Sequence, residues 1–353
     1  VIAIGSKADQ VLHALKTRLT DRHGFGSKKA TQKFIQKLDA IKPDIVGLHN
    51  IHGYYLHIRV LFEYLKKNKI PVIWTFHDCW PFTGHCTYFD RFDCTKWQTH
   101  CHDCPLTGYY PKSFILDNSY KNYDDKRALF TGHPNLSIVT PSIWLKEHVT
   151  QSFLKEYPVQ VIHNGIDLNT FSIRESGKSD HHKKKKILLG VASVWAKRKG
   201  LEDFYHLKNK ISNDYRIVLI GLSKKQVKQL PEGIDGITRT ESADELAEWY
   251  SKAAVFVNPT YIDNFPTTNL EALACGTPVV TYNTGGSPEA IDEHTGRVVA
   301  KGDIDGLWTA IQEVESEERG KLQKRCRTRA EAHFNKQDRY MEYLKLYERL
   351  NKK

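Results

Sequence analysis

The sequence predicts an α/β protein of two tandem doubly wound domains, each a parallel sheet wrapped by crossover helices. Three observations carry that reading. Short apolar runs alternate with helical patterns along most of the chain. The alternation breaks once, over the polar segment 172–186, and then restarts. The length, 353 residues, suits two domains of ordinary size.

Residues 44–49 read as a buried strand, 59–67 as an amphipathic helix, and 71–78 as a strand that ends in polar residues. A strand over 136–142, a helix over 144–154 and a strand over 159–162 follow. Strand, helix, strand at this spacing is the unit of a parallel sheet. Segment 172–186 contains Gly177 and His181-His182 and ends in four lysines, so it reads as a linker beside a domain boundary. Strands then come over 187–192, 215–221, 254–257 and 278–281, with helices between them. Residues 319–353 are helical, interrupted at Asn335, and the last helix carries Tyr340, Met341, Leu344, Tyr347 and Leu350 on one face. The expected domains are 1–168, with a Cys-rich insertion over 79–110, then 169–334, then a terminal helix over 335–353. In such tandem folds the ligand crevice lies at the C-terminal ends of the strands.

Composition narrows the function classes. No stretch reaches the eighteen apolar residues of a spanning helix. The net charge of +11, from 52 basic and 41 acidic residues, favours a polyanionic partner: nucleic acid, an anionic membrane surface or phosphorylated substrates. Part of the excess sits in the Lys183–Lys186 tract and in Lys197-Arg198-Lys199, where solvated loop charge is the plainer reading. Seven cysteines, five of them between Cys79 and Cys104, do not form a secreted disulfide pattern and point to a reducing cytosol. The front, Val1-Ile2-Ala3-Ile4-Gly5, lacks an initiator Met and a signal-peptide pattern, and reads as cropped.

The most informative motif is Asp263-Asn264-Phe265-Pro266-Thr267-Thr268-Asn269-Leu270-Glu271. An acid in a loop precedes a helix start, and a second acid follows in the first turn of that helix. Amides at a helix N-terminus attract phosphate, and those of Thr267 and Thr268 are candidates, since Pro266 has none. Two carboxylates nearby can hold sugar hydroxyls. Thr268-x-x-Glu271 also fits a capping box, which would explain Glu271 alone. Asp303-x-Asp305 follows Gly302 and opens a helix, so it reads as a cap rather than a metal pair.

Several motifs in order complete a resemblance: His77-Asp78 after a strand, Asn164-Gly165-Ile166-Asp167, Lys197-Arg198-Lys199-Gly200, the acid pair running into Glu271-Ala272-Leu273-Ala274-Cys275-Gly276-Thr277-Pro278-Val279, and Gly285-Gly286-Ser287-Pro288-Glu289. Over roughly residues 40–320 the chain resembles the retaining GT-B glycosyltransferases of the family 4 type. The resemblance implies two Rossmann-like domains facing a cleft, a first domain lacking its front strand and Gly-rich turn, and a terminal helix that crosses back to the first domain. It implies that Asp263 contacts the transferred sugar, Glu271 the donor ribose, and Lys199 the leaving diphosphate. It places Arg198, Asn264, Phe265, Thr267 and Thr268 around the donor, with His77 near the sugar and acceptor and His49 and Asp78 on the acceptor side. The family usually has Glu where Asp263 stands, which bears on sugar choice. The Arg it often carries six residues before the Lys is Ser193 here, so Arg198 or Lys197 would substitute.

The resemblance implies a sugar transfer from a UDP- or GDP-linked donor to a hydroxyl of a glycan. A polyprenyl-diphosphate-linked acceptor in cell-surface polysaccharide synthesis, a cytoplasmic site at the inner membrane face, and no catalytic cofactor or metal complete the expectation. Other GT-B chemistry, epimerase or sugar synthase, competes with it. So does a zinc-stapled nucleic-acid-binding protein, which would leave the donor motifs without purpose.

Cys86-x7-Cys94-x6-Cys101-x2-Cys104 is particular to this chain. Four thiols within nineteen residues suit a closed structural zinc site in an irregular, aromatic-rich insertion. Free, buried or redox-active thiols are the alternative.

Overall fold

A computed structural model describes residues 1–174 and 185–351. Most of the expected linker, 175–184, including Lys183 and Lys184, lies outside the described residues, as do residues 352–353. The chain divides into two compact units, Val1–Ile162 with Tyr343–Lys353, and His163–Glu342.

The first unit opens with two helices, α1 (Lys7–Thr20) and α2 (Lys28–Ile41). It continues through β1 (Val46–Leu48), α3 (Ile58–Lys67), β2 (Val72–Thr75), α4 (Ser119–Phe130), β3 (Leu136–Thr140), α5 (Ile143–Gln151) and β4 (Val159–Val161). The strands pair in parallel in chain order, Val46 opposite Val72 and Val72 opposite Leu136. Every residue of β2 and β3 is buried, as covered parallel strands require. On one face Phe62, Trp74 and Phe130 meet with ring centres 4.6–5.3 Å apart. On the other, Leu346 from the last helix packs with Ile73, Val139 and Ile162.

The second unit holds β5 (Lys186–Val191), α6 (Leu201–Lys208), β6 (Tyr215–Ile220), α7 (Lys224–Lys228), β7 (Ile234–Ile237), α8 (Ala243–Lys252), β8 (Val255–Asn258), α9 (Thr267–Ala274), β9 (Val279–Tyr282) and β10 (Gly296–Val299). Three helices, α10 (Ile304–Glu315), α11 (Arg319–Phe334) and α12 (Lys336–Asn351), end the chain. Asn335 breaks the helix between α11 and α12, as the sequence predicts. All six strands are parallel in the order β10-β9-β8-β5-β6-β7. The chain passes from β5 to β6 on one side and returns through β8 on the other, so the loops leaving β5 and β8 emerge side by side. That switch point is where an open parallel sheet binds its ligand. Asp303 caps α10 by accepting from the Gly306 amide at 2.8 Å, a helix cap as its spacing suggests.

Candidate functional site

The β5 and β8 loops are stitched together through their backbones. After β5 the chain makes a tight turn over Lys197–Lys199 and enters α6 through Gly200. Tyr261 donates its amide to Arg198 O at 2.7 Å, and Thr260 Oγ1 donates to the same carbonyl at 3.2 Å. Arg198 Nη1 donates to Ile262 O at 3.0 Å. Gly200 sits at φ +70°, and a Cβ there would lie 2.1 Å from Pro259 O, so only glycine lets the turn approach this closely. The result is an ion pair between Lys199 Nζ and Asp263 Oδ2 at 2.5 Å, both side chains mostly shielded. Arg198, expected to touch the donor, spends at least one nitrogen holding the acid loop.

The β9 loop supports the same acid from the other side. Gly285 has φ +53°, and a Cβ on it would stand 1.7 Å from Asp263 O. The Gly286 amide donates to Asn264 O at 2.8 Å. Asn164 Nδ2 donates to Phe265 O at 3.2 Å, and the Phe265 ring stacks on His163, centres 4.7 Å apart.

Helix α9 begins where this loop ends. Asn269, fully buried, accepts from Asn258 Nδ2 at 2.8 Å and donates to Ser287 Oγ at 3.0 Å, tying the helix start to β8 and the β9 loop. Pro266 is the cap position, so Thr267 and Thr268 are the first two helical residues, and their amides lie ahead of any intrahelical partner. Glu271 is then the fifth helical residue, too far along for a capping box. Its carboxylate instead accepts the Tyr250 hydroxyl at 2.9 Å, and also bonds Thr267. Burial lifts its pKa above the ordinary carboxyl range, while the Tyr250 and Thr267 hydrogen bonds hold it down. The capping alternative is thereby corrected: the helix geometry leaves Glu271 to α8.

In the first unit, β1 and β2 deliver two histidines to neighbouring strand ends. His49 Nδ1 and His77 Nε2 share a hydrogen bond at 3.0 Å, the rings stacked at 5.3 Å. Burial depresses both pKa values, and for His77 the neighbouring His49 adds to it. Asp78 turns the other way. It pairs with His52 Nε2 at 3.0 Å and accepts the Trp80 amide at 2.9 Å. Lys126, fully buried, caps this turn by donating to Trp80 O at 2.8 Å and Thr83 O at 3.0 Å, with its ammonium 3.5 Å from the Trp80 ring centre. Burial drags its pKa down to about 7.

Cys86, Cys94, Cys101 and Cys104 converge on one small cavity of about 10 Å³ that His85 and His102 also line. They are not arranged as four equivalent ligands. Cys86 and Cys104 share a hydrogen bond, which raises the first thiol's pKa and lowers the second's, and Cys101 Sγ accepts the Gly84 amide at 3.2 Å. Among the described residues no group of three or more His, Cys, Asp or Glu is poised to hold a metal ion. Cys79 is buried in the same core and is close enough to Cys86 to add to the rise of its pKa.

Sequence reasoning missed three supports of the site. Asp203, in the first turn of α6, accepts from Tyr261 at 3.1 Å and Tyr282 at 2.7 Å, and burial raises its pKa. Asp203 reads as first-turn acid and Tyr282 as strand filler, so only the fold joins them. Tyr250 was missed for the same reason.

The comparisons agree with this architecture. A glycosyltransferase family 4 model matches residues 8–170, and a model of group 1 glycosyl transferases matches residues 185–317. A protein of Escherichia coli (strain K12) named for colanic acid biosynthesis glycosyl transfer is 24% identical over 295 residues, 81% of this chain and 71% of that protein. A capsular polysaccharide biosynthesis glycosyltransferase of Staphylococcus aureus is 23% identical over 218 residues, 56% of this chain, and the match spans only 57% of that relative's length. The crystal structure of an Anabaena protein, HepE, in complex with UDP superposes with a TM-score of 0.67 over 94% of this chain and 85% of its own, at 13% identity. With its two halves matching the two glycosyltransferase models and its sheets following the GT-B plan, the chain belongs to the family 4 type of GT-B glycosyltransferases.

Proposed function

We propose that this glycosyltransferase moves a sugar, with retention, from a nucleoside diphosphate donor to a glycan hydroxyl during cell-surface polysaccharide synthesis. The observation that carries the reading is the Lys199–Asp263 ion pair beside the start of α9, with Glu271 oriented by Tyr250 one turn further along. Diphosphate oxygens suit the Thr267 and Thr268 amides and the Lys199 ammonium, which would stabilise charge developing on the leaving group. Glu271, aimed by Tyr250, would accept ribose hydroxyls. Asp263 uses one oxygen on Lys199 and keeps the other for a hydroxyl of the transferred sugar. Within the first unit, the His49–His77 pair offers neutral imidazoles to an acceptor hydroxyl.

Support from outside the chain is of the same kind. HepE has been solved with UDP and with UDP-glucose, which favours a uridine donor over a guanosine one, and the two relatives are named for colanic acid and for capsular polysaccharide biosynthesis. A polyprenyl-diphosphate-linked acceptor, met at the cytoplasmic face of a membrane, fits the +11 charge. No helix among the described residues is long and apolar enough to cross a bilayer.

The test is a thermal-shift screen across UDP- and GDP-sugars, followed by product analysis with radiolabelled donor and a lipid extract. Stabilisation by one donor and label built into lipid-linked glycan are expected. No stabilisation by any nucleotide sugar would overturn the donor site, and label recovered only as epimer or free sugar would overturn the transfer.

A further inference from the structure

The insertion after β2 carries more aromatic side chains than its core uses. Phe82, Phe89 and Trp97 are buried in the core of the first unit. Phe92, Tyr109 and Tyr110 stay 53%, 43% and 42% exposed. They neighbour one another all the same. The Phe92 and Tyr109 ring centres are 6.5 Å apart, the Arg91 guanidinium stands 4.1 Å from the Tyr109 ring centre, and Tyr110 is next in the chain. A single exposed ring needs no explanation, but a group of them marks a binding surface.

Hydrogen bonds tie this group to the β1 and β2 strand ends. Tyr110 donates its hydroxyl to His52 O at 3.0 Å, and the same oxygen lies 3.3 Å from His52 Nδ1. His52 Nε2 pairs with Asp78 at 3.0 Å, and Asp78 directly follows His77. His52 also stands three residues after His49, a span of at most about 11 Å. The rings therefore begin within a sugar ring or two of the His49–His77 pair. Tyr54 forms the wall behind them, its ring centre 5.9 Å from that of Tyr110 and its plane nearly perpendicular. Its φ is +62°, a left-handed conformation that bulky residues seldom adopt and that collects at ligand sites.

The chemistry of this face suits a pyranose. Such a ring presents C–H bonds on its faces and hydroxyls round its edge. Flat aromatic rings receive the first, and the tyrosine hydroxyl and the guanidinium N–H donors at the rim receive the second. The face is also continuous with the pair that meets the acceptor hydroxyl in the proposed function, so the rest of the same glycan lies within its reach.

We propose that Phe92, Tyr109 and Tyr110, with Arg91 at the rim, form a subsite that stacks sugar rings of the acceptor beyond the one that reacts. The acceptor is then an oligosaccharide rather than a single sugar. This deepens the acceptor side of the proposed function and rests on it. Its test reads binding without donor or transfer, so the two can fail separately.

The experiment is saturation-transfer NMR of the full chain with linear trisaccharides of glucose, galactose, mannose and N-acetylglucosamine, beside the monosaccharides. At least one trisaccharide should receive saturation, strongest at its ring C–H protons, and bind about tenfold tighter than its monosaccharide. Phe92→Ala with Tyr109→Ala changes exposed positions, so melting point and nucleotide-sugar shift should stay at the parent's. That variant should weaken trisaccharide binding about tenfold. Tyr109→Phe alone keeps the ring and should bind nearly as the parent does. Ring-dependent trisaccharide binding without any nucleotide-sugar shift would support the subsite and overturn only the donor site. Three results would overturn the subsite: no trisaccharide bound better than its monosaccharide, a double alanine variant that binds as the parent does, or a parent dimer that this variant dissociates, which would assign the rings to a second copy.

Discussion

The Tyr250 hydroxyl, fully buried in α8, donates to Glu271 Oε2 at 2.9 Å. The carboxylate proposed to meet a ribose is thus pre-aimed from inside the protein. Tyr250→Phe keeps the ring, which packs against Phe256 and Phe171. It should cost about 1 kcal/mol of stability, read by denaturant titration. Donor KM should rise several-fold with kcat little changed, because the contact is made in ground and transition states alike. A fall in kcat with unchanged KM would place Glu271 away from the ribose.

Lys199 and Asp263 make a second pair with a different signature. Each restrains the other, so Lys199→Ala and Asp263→Asn should not add. A double-mutant cycle on melting should give a coupling on the order of 1 kcal/mol, since the pair is mostly but not wholly shielded. On turnover, Lys199→Ala should lower kcat by roughly a hundredfold or more, the usual effect of removing a preorganised charge beside a developing anion. Additive effects in both assays would mean the ion pair is incidental.

The central strands of each unit were legible because they are buried on both faces. The runs at β2, β3, β5 and β8 have no polar face to blur them. The strands the sequence analysis did not mark, β7 and β10, are the two sheet edges. There Asp235 and Val298 face water and Gly236 and Gly296 dilute the apolar signal. The donor-side motifs could be read because they sit in short loops at fixed distances from those strands. Their supports could not: Asp263 meets Gly285 across the loops of the adjacent strands β8 and β9, and Asp203, in α6 after β5, reaches Tyr282 on β9, one strand further away. The α9 cap, Pro266, lies two residues before the Thr268 that a capping box with Glu271 needs, and boundary shifts of that size escape sequence patterns.

Cys104 should be the most reactive of the described thiols. Its hydrogen bond with Cys86 lowers its pKa, with His85 adding in the same direction, while the hydrogen bond and burial push Cys86 the other way. Cys79, Cys101, Cys275 and Cys326 are buried, and burial raises their pKa values too. Brief iodoacetamide treatment near neutral pH, followed by peptide mass spectrometry, should label Cys104 first, and Cys86→Ser should slow that labelling. Zinc retained stoichiometrically through purification, with all four insertion thiols protected, would replace this account by the ligand cage.

Acid should unfold the first unit before it titrates many carboxylates. Burial lowers the pKa of His13, His57 and His133 to about 4 each, and that of His23 well below the ordinary value. In each case the folded pKa lies below the unfolded value of 6.5, so the stabilisation is complete above 6.5 and is lost as pH falls toward 4. His85 opposes the trend: burial alone would lower its pKa, but its bond to Asp21 raises it overall. Differential scanning between pH 7.5 and pH 4.5 should show the melting point fall by roughly 10 °C. His23→Phe, which removes a ring with neither nitrogen bonded among the described residues, should flatten that dependence.

Gly285 offers the sharpest separation of stability from catalysis. Its φ of +53° disfavours any side chain, and a Cβ would fall 1.7 Å from Asp263 O, backbone that cannot yield cheaply. Gly285→Ala must therefore move the acid loop, together with the Gly286–Asn264 hydrogen bond that holds it. The variant should lose about 1–3 kcal/mol of stability and a larger share of kcat, because Asp263 and its Lys199 partner shift together. Gly320→Ala, in α11 where a Cβ meets nothing within 4 Å, is the matched control and should melt slightly higher with unchanged turnover. Equal activity losses in the two alanine variants would mean that the β9 loop does not position Asp263.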